Sequence, residues 1–165
     1  MGILAINGGS KTFTEKNVAT PWPVSDKHDL DGLLAVMEQT VQGKNGPAAE
    51  KFAKRFAEYN EVKHCILCAN GTTAIELILR GLGIGYGDEV IMPPYTFIAS
   101  VSAVIYAGVT PVFADIEADT CSLSAESVRT KITPRTKAIM PVFVGGRPAD
   151  MDALNGVARR FNKKL

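Results

Sequence analysis

The stretch CANGTTAIEL at residues 68–77 decides how the fold is interpreted. A short apolar run at 62–68 leads into it and predicts a strand, and apolar residues then recur at helical spacing from 74 to 82. Residues 70–73 are therefore predicted to form the start of a helix. Backbone N–H groups at a helix start lack intrahelical partners and carry partial positive charge, so this turn is suited to binding an anion such as a phosphate.

The side chains of the turn allow two interpretations. Gly71 would let the backbone approach a ligand closely, and Thr72 and Thr73 would add hydroxyl donors. Asn and Thr are also ordinary helix caps, so a purely structural capping role fits the same residues. The turn alone does not decide between an anion site and a cap.

Length and composition limit the classes of function. The chain has 165 residues, of which 46% are hydrophobic and 21% are charged, and this suffices for one globular domain with a sizeable core. The formal net charge is +1, and the Lys and Arg residues are scattered. We therefore expect small-molecule or protein partners and neither nucleic acid nor a membrane.

Two features bear on localisation. The first ten residues lack a basic start followed by an apolar run, so no secretory signal is predicted and a cytoplasmic location is expected. Residues 93–114 carry no charge and are long enough to cross a bilayer, but Gly108 and Pro111 divide them. This segment is predicted to be a buried helix followed by a buried strand.

The three cysteines do not suggest disulfides or a metal site. Their number is odd and small for a secreted disulfide framework. Cys65 and Cys68 have CxxC spacing, but positions three apart in a strand face opposite sides, and no second Cys or His pair accompanies them. We predict that they pack in the core and that the chain has no metal centre.

The remaining pattern predicts an α/β protein. Residues 1–27 are interpreted as an extended arm with Trp22 and Pro23 as its anchor. Beyond the arm, helices are predicted at 29–42, 47–59, 73–82, 96–107, 125–132 and 150–161, and strands at 62–68, 89–92, 111–114 and 137–142. Strands that alternate with helices favour a parallel sheet covered by helices.

Ligands of such sheets bind beyond the carboxyl ends of the strands. The loops to consider are 69–73, 93–96, 115–120 and 143–147. Tyr95 and Phe97 follow the second strand, where an aromatic ring could stack on a planar ligand beside the anion site. The alternative is that both rings pack in the core.

Six segments carry a family resemblance in register. They are NGTTA at 70–74, GYGDEVI at 85–91, PPYTFIAS at 93–100, PVFADI at 111–116, ITPRTKAI at 132–139 and PADMDAL at 148–154. The chain resembles the pyridoxal-phosphate-dependent sugar aminotransferases of the DegT/StrS type, within the aspartate aminotransferase fold (fold type I). The resemblance implies a three-layer, mainly parallel α/β sheet, with residues 28–165 as the N-terminal part of the large domain that binds pyridoxal phosphate (PLP).

The resemblance also implies roles for particular residues. Gly71, Thr72 and Thr73 would bind the cofactor phosphate, and Phe97 would stack on the pyridine ring. Asp150 and Asp152 would cap or support a helix, and no residue of this chain is assigned a catalytic role. The implied reaction transfers an amino group from glutamate or glutamine to a nucleotide-linked keto-sugar, in a homodimer.

Relatives carry a Schiff-base lysine and an aspartate that pairs with the pyridinium nitrogen, and both are expected beyond residue 165. Lys137, Lys163 and Lys164 are poor substitutes because the first opens a strand and the others follow a helix. We therefore expect weak PLP binding at most by this chain alone and a sheet with gaps. The alternatives are an inactive scaffold or interaction subunit, one half of a split enzyme, and a PLP-dependent sugar dehydratase.

Overall fold

A computed structural model describes residues 2–11, 13, 22–39, 43 and 46–163. The chain divides into two compact units, residues 1–67 and residues 68–165, and each is described by itself. The first unit contains a short 3-10 turn at Ala5–Asn7 and two helices, α1 (Lys27–Met37) and α2 (Pro47–Tyr59).

The helices of the first unit begin where the sequence signals a start. A capping box starts α1, because the Asp26 carboxylate accepts the backbone N–H of Asp29 at 3.3 Å and the Asp29 carboxylate accepts that of Asp26 at 2.9 Å. The predicted end of this helix, at residues 40–42, lies outside the described residues. Pro47 occupies the first turn of α2, which has the predicted bounds.

The apolar face of α2 is less buried than its spacing predicts. The helical spacing of Phe52 and Phe56 within 47–59 predicts that both point inward, yet they stack on each other with ring centroids 5.5 Å apart and remain about half exposed. Only Ala57 is buried among the described residues of this helix. The expectation of an inward aromatic pair is therefore wrong for this structure.

The predicted strand at 62–68 is also wrong. The structure assigns these residues to no strand, and Val62 and Ile66 are exposed. A strand requires a hydrogen-bonded neighbour, and no described strand pairs with this segment. Cys65 is half-buried and Cys68 is exposed, so the predicted core packing of Cys68 fails as well.

The second unit contains the predicted parallel sheet. Its elements in chain order are α3 (Gly71–Gly81), β1 (Glu89–Met92), α4 (Ile98–Tyr106), β2 (Thr110–Phe113), α5 (Ala125–Lys131), β3 (Thr136–Ile139) and α6 (Met151–Arg160). The strands lie in the order β2-β1-β3, and both neighbours of β1 are parallel to it. The alternation read from the sequence is confirmed here.

Two apolar clusters cover the two faces of this sheet. Val90 and Met92 of β1 lie in one cluster with residues of α3 and α4, such as Leu79 and Val104. Ile91 lies in the other cluster, with residues of α5 and α6 such as Val128. Alternate side chains of a strand point to opposite faces, so β1 is buried on both sides and fixes the position of the loop that follows it.

The uncharged segment at 93–114 forms the predicted helix and strand, α4 and β2. Its predicted burial holds only in part, because α4 buries Ala103 and Val104 while no residue of β2 is fully buried. Across the described residues, every helix is too short or too polar to traverse a lipid bilayer.

Candidate functional site

The start of α3 is a capped turn with free donors. The Asn70 side-chain carbonyl accepts the backbone N–H of Thr73 at 3.0 Å and the Thr73 hydroxyl at 3.2 Å. The amides of Gly71 and Thr72 and the Thr72 hydroxyl have no hydrogen-bond partner within the described part of the chain. Both sequence interpretations of the turn therefore apply, since Asn70 and Thr73 form the cap while Gly71 and Thr72 keep donors available.

Gly71 is not explained by the packing of the chain. It is exposed, its backbone is outside the left-handed region, and a Cβ built on it would meet no atom within 4 Å. Neither sterics nor conformation requires glycine at this position. The open space next to a helix start is a place where a ligand oxygen could reach the backbone.

A cleft of about 410 Å³ lies between the starts of α3 and α4. It brings together Thr72, Thr73 and Phe97, three of the four residues that the sequence analysis selected. The fourth, Gly71, is next to Thr72 in the same turn. The other residues that line the cleft are Asn70, Glu76, Ile98, Ala99, Ser102 and Tyr106.

Phe97 presents its ring to this cleft from the N-cap position of α4. Phe97 is 77% exposed, and Tyr95 is about half exposed. The alternative that these two aromatics pack in the core is therefore wrong. A bare aromatic ring beside unpaired N–H and O–H donors can stack on a planar ligand whose anionic group the helix start binds.

An ion pair that the sequence analysis did not select also borders the cleft. Arg80 Nε donates to Glu76 Oε1 at 2.9 Å, and Arg80 Nη2 donates to the Tyr106 carbonyl oxygen at 3.0 Å. Arg80 thus joins the last turn of α3 to the end of α4. The signal that could have found half of this contact is the opposite charge at i,i+4 spacing.

Other predicted positions lie away from the cleft. The loops at 115–120 and 143–147 do not line it. Lys137 and Lys163 line a separate groove that includes the first residue of β3, and Lys164 lies outside the described residues. The Asp150 carboxylate accepts the Ala153 N–H at 2.9 Å, which confirms its capping role. The described residues contain no group of three or more His, Cys, Asp or Glu that could hold a metal ion.

A second polar cluster lies at the opposite end of β1. Glu89 is buried, and its carboxylate accepts hydrogen bonds from the Thr133 hydroxyl, from Arg135 Nε at 2.8 Å and from the Thr136 hydroxyl at 3.4 Å. The Thr133 hydrogen bond and the Arg135 charge lower the pKa of Glu89, and burial opposes them. All of these groups face one another, which leaves little capacity for a ligand.

Comparison with known proteins gives a consistent result. Residues 24–165 match the DegT/DnrJ/EryC1/StrS aminotransferase family. GDP-perosamine synthase of Caulobacter vibrioides is 48% identical over 140 residues, which are 85% of this chain and 38% of that protein. L-glutamine:2-deoxy-scyllo-inosose aminotransferase of Streptomyces lividus is 39% identical over 98% of this chain and 39% of its own length.

A solved structure extends the likeness to three dimensions. NtdA from Bacillus subtilis, crystallised with bound cofactor PMP, superposes with a TM-score of 0.76 at 31% identity over 84% of this chain and 33% of that chain. The parallel α/β sheet described above is the N-terminal part of the fold type I architecture of such enzymes. This chain spans 38–39% of the length of the two curated relatives.

Proposed function

We propose that the cleft between α3 and α4 holds the phosphate and the ring of PLP. The premise is that this chain belongs to the DegT/DnrJ/EryC1/StrS aminotransferase family. The observation that carries the proposal is the meeting of Thr72 and Phe97 in one cleft beside the unpaired amides of Gly71 and Thr72. On this proposal, residues 28–165 are the N-terminal part of the cofactor-binding domain.

The start of α3 would bind the phosphate. The N–H groups of Gly71 and Thr72 donate to phosphate oxygens, and the Thr72 hydroxyl adds a third donor. The Thr73 hydroxyl already donates to Asn70, so its contribution requires that it turn away from the cap. Asn70 acts on the ligand indirectly, because it holds the turn in the conformation that presents these donors.

Phe97 would hold the planar ring. Its position before the first residue of α4 fixes the backbone, while the exposed side chain offers a face to a stacked pyridine. When bound, PLP supplies an electron sink for chemistry at the carbon that bears the transferred nitrogen. None of the described residues that line the cleft is a lysine, so we expect binding without a covalent adduct at the cleft.

We propose that the whole protein transfers an amino group from glutamate or glutamine to a keto-sugar. The support is the identity of the relatives, which include an aminotransferase whose name gives glutamine and 2-deoxy-scyllo-inosose and a synthase of GDP-perosamine. Two copies of the chain would associate, and Trp22, which is 90% exposed, is a candidate contact.

The test is equilibrium dialysis of the chain against PLP, with Gly71→Asp as the diagnostic variant. A carboxylate at the first position of α3 repels a phosphate but interacts favourably with the helix dipole, so binding should fall at least tenfold while the fold is retained. The matched control is Gly156→Asp, because Gly156 is also an exposed helical glycine with no atom within 4 Å of an added Cβ.

Phe97→Ala provides the second arm, since it removes the stacking surface without touching the phosphate donors. Equal binding by wild type, Gly71→Asp and Phe97→Ala would overturn the proposed site. Absence of any PLP binding by the wild-type chain would favour the inactive scaffold. Borohydride treatment followed by intact mass would reveal a lysine adduct and contradict the expected non-covalent binding.

A further inference from the structure

The cleft contains a carboxylate where an anion is proposed to bind. Glu76 lines the cleft together with Thr72 and Thr73, and it lies four residues after Thr72 and three after Thr73 on α3. Side chains at these spacings are neighbours on one helix face, with Cβ atoms about 5–6 Å apart. The Glu76 side chain is 28% exposed, so solvent screens its charge only in part. An unpaired carboxylate here would oppose the binding of a phosphate.

Arg80 removes this conflict. Its Nε and Nη2 atoms both lie 2.9 Å from Glu76 Oε1, and Nη2 also donates to the Tyr106 carbonyl oxygen at 3.0 Å. The bond to the end of α4 fixes the guanidinium group from a second helix, so the cation has a defined position against the carboxylate. The local net charge beside the anion site is then close to zero.

We infer that Arg80 is a positioning and charge-compensating residue that makes the cleft acceptable to a phosphate ester by neutralising Glu76. The inference rests on the proposed function, because it concerns the same cleft. Arg80 does not line the cleft and acts through Glu76, so its effect on a ligand should be electrostatic.

The experiment compares PLP with pyridoxal, which has the same ring but no phosphate. Equilibrium dialysis at low ionic strength should show about tenfold weaker PLP binding for Arg80→Gln, and pyridoxal binding should be unchanged. Added salt should reduce the difference between the variant and the wild type. Arg80→Lys keeps the positive charge but loses the planar guanidinium group with its several N–H donors. It should retain most of the affinity for PLP.

The double variant separates charge from structure. Glu76→Gln combined with Arg80→Gln should restore PLP affinity to near the wild-type value, because the repelling carboxylate is gone. A purely structural role for Arg80 predicts that the double variant stays weak and that pyridoxal binding falls in parallel. The matched control is Arg129→Gln, which breaks the comparable helical ion pair with Glu126 on α5 and should not change PLP affinity.

The outcomes distinguish the two proposals. If the wild-type chain binds PLP and Arg80→Gln binds it equally well, the inference about Arg80 is overturned and the proposed cofactor site stands. If the wild-type chain does not bind PLP at all, the proposed function fails and the inference fails with it. Weak binding of both ligands by Arg80→Gln, without rescue by the double variant, would also overturn the inference.

Discussion

The polar groups at the two ends of β1 differ in whether the chain itself provides their hydrogen-bond partners. At the end where β1 begins, Glu89 is buried and its oxygens accept hydrogen bonds from Thr133, Arg135 and Thr136. Beyond the other end, the start of α3 and Phe97 leave donors and a ring exposed around a cleft. Groups that the chain satisfies internally stabilise the fold, and groups left without partners are available to a ligand.

The largest expected effect comes from opening the closed end. Glu89→Ala removes the acceptor for the O–H groups of Thr133 and Thr136 and for Arg135, so the free energy of unfolding should fall by about 2–3 kcal/mol. Urea unfolding followed by circular dichroism measures this. A loss below about 0.5 kcal/mol would mean that the Glu89 cluster is not the stabilising end.

The pH dependence of the same cluster sharpens the comparison. The pKa of Glu89 is lower in the folded chain than its ordinary value of 4.5, mainly because of the Thr133 hydrogen bond. Its ionised form therefore stabilises the fold above pH 4.5, and this contribution is lost as the pH falls through the lower folded pKa. The stability difference between wild type and Glu89→Gln should shrink on acidification below that value, and a difference that grows would contradict the assignment.

A smaller effect is expected from the cap at the open end. Asn70→Ala removes the acceptor for the Thr73 amide and hydroxyl, which should cost about 1 kcal/mol in the free energy of unfolding. Asn70→Asp keeps an acceptor at the same place and serves as the structural control. Urea unfolding measures this effect. An unchanged urea midpoint for Asn70→Ala would show that the cap does not stabilise the turn.

The smallest effect on stability is expected at the free donor. Thr72→Val removes a hydroxyl that has no partner in the described part of the chain. The free energy of unfolding should therefore change by less than about 0.5 kcal/mol, while the affinity for PLP should fall. Thr73→Val removes a hydroxyl that already donates to Asn70 and should affect stability more than Thr72→Val does. The reverse order for stability would break the distinction between the ligand donor and the cap.

The parts of the fold that local sequence determines were predictable. The bounds of α2 and β1 match the predictions because Pro47 marks a helix start and β1 is a short apolar run between turn residues. The segment at 62–68 has the same local character but forms no strand. Pairing depends on a neighbour distant in sequence, so periodicity could not reveal this difference.

The candidate site also contains parts that the sequence predicts and contacts that it does not predict. The turn pattern pointed to Thr72 as a donor, the family resemblance singled out Phe97 over Tyr95, and the structure brings Thr72 and Phe97 to one cleft. The link from Arg80 to Tyr106 spans 26 residues, and the one from Arg135 to Glu89 spans 46, so neither has a local pattern. A glutamate at the start of an otherwise apolar strand was the remaining sequence clue to the second cluster.

The burial of β1 on both faces also determines how fast its backbone amides exchange hydrogen with solvent. Its amide hydrogens should exchange with deuterium among the slowest in the second unit, since freeing them requires both apolar clusters to open. The amides of Gly71 and Thr72, which have no partner among the described residues, should exchange almost as fast as those of a short peptide. Hydrogen–deuterium exchange should therefore be slow in β1 and fast at the start of α3. A bound phosphate would slow the exchange only of the amides at the start of α3.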